Sequence, residues 1–138
     1  MSHLKEIEIN IKIKLSALWA SVMSCYIYCD YFELYTPGKL NDMIDGETIF
    51  GSGDQITILS LSSIMLFTSL MIGLSVLLPA KINRVLNIII GFIMTVMLII
   101  LTYSAGWYFY KLYAFVESLL TISIVWLAWK WPKTLGAS

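Results

Sequence analysis

Hydrophobic residues gather into four long runs, at 15–35, 56–78, 85–103 and 107–131, and these occupy most of the 138 residues. A helix crosses a bilayer core with about 20 mostly apolar residues at about 1.5 Å of rise each. Each run meets that length. The expectation is an all-α polytopic membrane protein, with residues 1–138 forming a single integral membrane domain. A chain that is 59% hydrophobic and 13% charged has little left for a soluble domain. Its formal net charge of zero offers no large basic patch for nucleic acid. The expected partner is the lipid bilayer, with a homodimer or a membrane partner protein as further candidates.

The position of the charges sets the expected topology. Lys5, Lys12 and Lys14 precede the first run, Lys81 and Arg84 lie between the second and third, and Lys130 and Lys133 follow the fourth. Seven of the nine basic residues thus fall on one side, which also takes both termini. The loop 36–55 carries Asp42, Asp45, Glu47 and Asp54 against Lys39 alone. The positive-inside rule places both termini in the cytoplasm and this acidic loop outside. The stretch before the first run mixes acidic with basic residues and is followed by no small-residue cleavage site, so the first run is read as a retained span rather than a signal peptide.

Between residues 3 and 14, isoleucines and leucine alternate with charged residues, a period-two pattern that suggests an extended or interfacial approach to the first helix. Pro37-Gly38 is expected to end that helix. Leu40, Met43 and Ile44 space as a short amphipathic turn on the outer face. Ser52 or Asp54 is the expected N-cap of the second helix, Pro79 its stop, and Asn83 or Asn87 a starter of the third. Ser104-Ala105-Gly106 makes the last tight return. Short returns predict an antiparallel up-down-up-down four-helix transmembrane bundle in which the first and fourth helices are also neighbours. Ser62, Ser69 and Gly73 on the second helix, and Gly91 and Thr95 on the third, are expected to mark helix contacts. Tyr103, Trp107 and Tyr108 at one edge, and Trp126, Trp129 and Trp131 at the other, read as aromatic belts.

Ionisable side chains within spans cost about 2.5–3.5 kcal/mol each at the centre on insertion scales. Four lie within these runs: Asp30, Glu33, Lys111 and Glu117. Glu33 and Lys111 are about a turn from the outer boundary and can snorkel. Asp30 is roughly 7 Å inside and Glu117 about 15 Å inside, close to the midplane. Trp19, Met23, Tyr26, Asp30 and Glu33 share one face of the first helix, while Tyr110, Tyr113, Glu117 and Thr121 share one face of the fourth. If these faces meet, they line an acidic, aromatic pocket open to the outside with Glu117 at its floor. Two readings stand side by side: polar residues that bind helix to helix, and a site for a proton, a cation or a cationic amphiphile.

Cys25 and Cys29 sit four residues apart inside the first run, without the paired C-x-x-C motif or shuttle pair of a thiol oxidoreductase. They are read as packing residues. His3 is the sole histidine, so no haem or zinc ligand set is expected, and no metal or other cofactor is assigned. No phosphate-binding glycine loop or Ser-His-Asp set is present.

The run Leu15-Ser16-Ala17-Leu18-Trp19 with Tyr28 and Asp30, the ending Trp126-Leu127-Ala128-Trp129-Lys130-Trp131-Pro132, and Glu117 together resemble a family of small bacterial four-span proteins classed as a domain of unknown function. The resemblance implies a bacterial inner-membrane location and a four-helix fold, and it carries no activity, ligand or catalytic residue. In size and layout the chain is also similar to DoxX-like four-span proteins, an analogy of architecture only. Three functions follow as expectations. The first is a binding or transport protein with Asp30, Glu33 and Glu117 as counter-charges and Tyr26, Tyr110 and Tyr113 as aromatic walls. The alternative is a non-enzymatic accessory or scaffold subunit whose intramembrane polar residues are structural. The third, an intramembrane enzyme using Glu117 and Asp30 as an acid–base pair, has no motif behind it.

Overall fold

A computed structural model describes residues 7–48 and 51–132; His3, Lys5 and Lys133 lie outside them. In chain order the elements are α1 (Ile11–Glu33), α2 (Lys39–Ile44), the strands β1 (Glu47–Thr48) and β2 (Gly51–Ser52), α3 (Gln55–Leu77), α4 (Ala80–Ser104) and α5 (Tyr108–Trp129). The architecture is all-α apart from that two-residue antiparallel ladder, in which Glu47 pairs with Ser52 and Thr48 with Gly51.

Local chemistry accounts for the helix ends. Asn10 caps α1 by accepting from the backbone N–H of Lys12 at 2.9 Å. The alternating segment therefore becomes helical at Ile11, earlier than the alternation suggests, because a cap and a buried 4-3-4-3 series outweigh it. That series is Leu15, Trp19, Val22, Tyr26 and Cys29. At its other end α1 stops at Glu33, short of Pro37, and Gly38 enters α2 at φ 86°, a left-handed conformation glycine adopts without strain. Asp54, not Ser52, caps α3, accepting from the Thr57 N–H at 2.9 Å. Only Leu78 and Pro79 separate α3 from α4.

Among the described residues three helices, α3, α4 and α5, are long and apolar enough to cross a membrane. α1 has the length, at 23 residues, but its serines, Trp19, three tyrosines and Asp30 dilute its apolarity. Of these, Trp19 and Tyr26 are buried, while Ser21, Ser24, Tyr28, Asp30 and Tyr31 are exposed. α1 packs between α3 and α5, and α4 packs along α5, whereas α3 and α4 touch at few points. The core joins Leu15, Trp19, Val22 and Tyr26 of α1 to Met71 of α3, Met94 and Leu98 of α4, and Ala114 and Ile124 of α5.

At one end of the assembly, the turn end, cationic side chains from neighbouring helices finish two helix C-termini. Lys12 Nζ donates to the carbonyls of Val76 and Leu78 at 3.3 and 2.6 Å. Arg84 donates through Nε to Ala128 at 3.2 Å and through Nη2 to Trp129 at 3.3 Å. These carbonyls are the groups a helix leaves unpaired, and they carry the negative end of its dipole. Lys12 thereby ties α1 to α3.

Just inside this end lies a buried polar lock. Trp19 Nε1 donates to Asn87 Oδ1 at 2.7 Å, and Ser75 Oγ approaches the same oxygen at 3.4 Å. Asn87 Nδ2 donates to the backbone and side-chain oxygens of Asn83 at 2.9 and 2.6 Å. Asn83 Nδ2 in turn donates to the Ser75 carbonyl. All four residues are fully buried. Asn83 and Asn87, expected to start a helix, are thus interior residues of α4 and hold α1, α3 and α4 together.

The small-residue pattern is divided. Gly91 does mark a close approach: a Cβ there would lie 2.9 Å from Val125 Cγ2 and 3.4 Å from Ile124 Cγ2. Thr95 meets Thr121 of α5, hydroxyl to hydroxyl, at 2.8 Å. On α3 the expectation is corrected, because Ser62, Ser69 and Gly73 face outward and Thr68, Met71 and Ser75 form the buried face. Tyr103, Trp107, Tyr108, Trp126 and Trp129 are exposed near helix ends, while Trp131 packs against the core.

Candidate functional site

The opposite end, the loop end, brings the C-terminal half of α1 against the N-terminal half of α5. The helical repeat explains which residues meet. On α1, Tyr26 and Cys29 continue the buried series, and Glu33 follows one turn later, half-buried. On α5, Ala114, Glu117, Ser118 and Thr121 form the buried face, with Tyr110 and Tyr113 half-buried before them.

Glu117 is 2% exposed, and its Oε1 atom is buried without a hydrogen-bond partner. It lies within electrostatic reach of Tyr26, Cys25, Cys29 and Asp30. Tyr110 lies against Glu33, with Cys29 and Asp30 also in reach. Five of the six expected site residues, Tyr26, Asp30, Glu33, Tyr110 and Glu117, therefore do gather between α1 and α5. Tyr113 shares the α5 face but makes no hydrogen bond to Glu117. Asp30 is exposed at the rim rather than sunk in the interior, because it sits one residue round from the buried Cys29.

Above the cluster, Lys39 at the start of α2 places its ammonium 2.8 Å from Glu33 Oε1. This ion pair draws α2 over the end of α1. The remainder of α2 has no buried residue, and Leu40, Met43 and Ile44 are all exposed. Lys111 does not join the acids; its ammonium lies over the Tyr108 ring, 5.9 Å from the centroid.

The cluster is a narrow polar seam between two helices. Two open depressions lie at the turn end: one of about 530 Å³ bordered by Asn10, Lys12, Ala80 and Trp131, the other of about 320 Å³ along Lys81–Leu86. Neither is lined by Glu117. Among the described residues no three His, Cys, Asp or Glu side chains are grouped to hold a metal ion.

Sequence reasoning missed Cys25, Cys29 and Lys39 as neighbours of the site. Cys25 and Cys29 lie within electrostatic reach of Glu117, a consequence of their neighbouring Tyr26 on α1. Lys39, the loop's one base, pairs with Glu33 across the Pro37-Gly38 turn, whose signature marks the turn but not the pairing. The Asn83–Asn87 pair, two amides four residues apart in an otherwise apolar run, did carry a signal of buried polar contact. No curated protein and no solved structure matches the chain. A family model described as a family of unknown function (DUF6326) matches residues 3–138, and the chain belongs to that family.

Proposed function

We propose that the protein is an integral membrane protein of four packed spans, with both termini cytoplasmic, that binds a proton or cation at Glu117 from the outer side. The charges support this orientation. Lys12, Lys14, Lys81, Arg84 and Lys130 belong to the turn end, and Asp42, Asp45, Glu47 and Asp54 to the loop end. α1, less apolar than its neighbours, completes the four spans from a position between α3 and α5.

The observation that carries the reading is the unpartnered Glu117 Oε1. A buried acceptor left unpaired costs about 1–3 kcal/mol. A residue serving to bind helices together would show hydrogen bonds, as Asn83, Asn87, Trp19 and the Thr95–Thr121 pair do. Structural glue is thus already supplied elsewhere, and Glu117 adds none. Asp30 and Glu33 lead toward it from the rim, with Tyr26 and Tyr110 beside the path. Localisation in a bacterial inner membrane fits this topology and the earlier resemblance.

The test is the melting temperature of Glu117→Gln against wild type in detergent at neutral pH. The reading expects the variant to melt at the wild-type temperature or above, since no hydrogen bond is lost. A clear drop would show that Glu117 is structural. A second reading, an accessory subunit, draws on α2, whose Leu40, Met43 and Ile44 are exposed beside the acidic loop. Co-purification of a defined partner that is lost on Leu40→Asp with Ile44→Asp would favour it.

A further inference from the structure

Charge at the turn end is one-sided. Lys12, Lys14, Lys81, Arg84 and Lys130 lie there, and Glu8 is the one carboxylate beside them among the described residues. Most of these cations already have partners. Lys12 and Arg84 are spent on helix carbonyls, and the Lys130 ammonium lies 4.4 Å from the centroid of the Trp126 ring. Lys14 and Lys81 are exposed, and among the described residues neither meets a carboxylate. Their surroundings separate the two. Lys14 borders neither depression, whereas Lys81 stands on the wall of the one of about 320 Å³, with Ile82, Val85 and Leu86. That groove holds no acidic side chain. The larger depression includes Glu8, which repels an anion.

The groove continues as an apolar stripe. Ile82 and Val85 are 52% and 51% exposed, and Ile89 and Phe92 follow at helical spacing, exposed as well. From Ile82 to Phe92 the helix rises about 15 Å, the depth of one leaflet in a hydrocarbon core about 30 Å thick. A free cation thus stands where headgroups lie, above an apolar track that reaches the midplane. We propose that this groove seats an anionic phospholipid of the cytoplasmic leaflet, its phosphate on the Lys81 ammonium and one acyl chain along Ile82, Val85 and Ile89. The inference rests on the bilayer placement given above and is independent of Glu117. Charge complementarity selects the occupant. Lys12 and Arg84 stay charged while they bond carbonyls, so they add to the positive field at the headgroup. A zwitterionic lipid offers the same acyl chain, but its own ammonium offsets most of that attraction.

The experiment titrates the full chain in a non-ionic detergent with dioleoyl phosphatidylglycerol or dioleoyl phosphatidylcholine and reads bound lipid by native mass spectrometry. Wild type is expected to bind the first phosphatidylglycerol about fivefold or more tightly than phosphatidylcholine. Lys81→Gln should weaken phosphatidylglycerol about fivefold, the effect of one cation at an anionic headgroup, and leave phosphatidylcholine unchanged. Lys14→Gln removes the same charge away from the groove and should leave both lipids within about twofold of wild type. Both lysines are exposed, so both variants keep the fold, which helical circular dichroism checks. Val85→Glu, which puts a carboxylate into the groove, should abolish the preference. Equal affinity for the two lipids in wild type would overturn the proposal. Equal losses from Lys81→Gln and Lys14→Gln would also overturn it, by reducing the site to diffuse surface charge. Displacement of the lipid by excess inorganic phosphate would overturn the acyl-chain contact. The bilayer placement fails separately, if alkaline carbonate releases the chain from membranes.

Discussion

Replacing Asn87 by Leu tests the central claim that the load of helix association rests at the turn end and not at Glu117. Asn87 accepts from Trp19 and Ser75 and donates twice to Asn83, all within a fully buried cluster. Leu is of similar size and more apolar, so the change acts through the partners left behind. The Ser75 hydroxyl can turn to a carbonyl of its own helix. The Trp19 N–H and the Asn83 Oδ1 cannot find substitutes without repacking. Two stranded buried groups at about 1–3 kcal/mol each give an expected loss of about 2–6 kcal/mol. Interhelical hydrogen bonds in membrane proteins average nearer 0.6 kcal/mol in double-mutant cycles, which sets a floor of about 1 kcal/mol. For a chain of this size, at about 3 °C per kcal/mol, the loss corresponds to a drop of about 6–18 °C in melting temperature. Helical circular dichroism on heating would read it, alongside a thiol-reactive dye that reports the uncovering of the buried Cys29. Trp19→Phe completes a cycle: it should cost much less in the Asn87→Leu background, because the orphaned N–H disappears with it. An Asn87→Leu protein within about 0.5 kcal/mol of wild type, or strictly additive costs, would refute the lock.

Other substitutions probe separate features. Gly91→Leu should lower the melting temperature by about 1–3 kcal/mol equivalent, because even a Cβ meets Val125 Cγ2 at 2.9 Å; a neutral result in the same assay would place α4 and α5 further apart. Lys12→Met and Arg84→Met each strip a cation from a helix C-terminus and should each cost about 0.5–1.5 kcal/mol, with the two losses additive because they finish different helices. Asp54 gives the pH prediction. Hydrogen bonds from Thr57, first its side chain and then its backbone N–H, hold the Asp54 carboxyl below its ordinary range. A folded-state value depressed below the unfolded one contributes stability that is present above about pH 4 and is lost as pH falls through the depressed value. Amide exchange at the first turn of α3 should therefore accelerate in acid, and Asp54→Asn, which keeps a cap without a titrating group, should abolish that acid dependence.

Much of the architecture was legible because lipid-length apolar runs and a 3.6-residue repeat act locally along the chain. From them came the all-α class, the positions of α3, α4 and α5 to within a few residues, the short amphipathic α2 and the pairing of the α1 and α5 faces that carry Tyr26, Glu33, Tyr110 and Glu117. The segregation of basic and acidic residues to opposite ends was equally readable, since it is a property of order along the chain. A repeat shows that residues share a face, but it does not say which face turns inward. Ser62, Ser69 and Gly73 form as regular a stripe as Thr68, Met71 and Ser75, and only the packing of α3 on α1 selected the second.

The deciding features of the candidate site were likewise tertiary. Hydrogen-bond partners 12 to 68 residues apart, such as Ser75 with Asn87 and Trp19 with Asn87, have no local signature. Whether Glu117 was glue or site could not be read from its depth, because both roles call for a buried acid on a helix face. The chain by itself determined that a carboxyl must lie deep in an apolar environment. The packing decided that the polar partners are spent elsewhere, and so left Glu117 Oε1 without one.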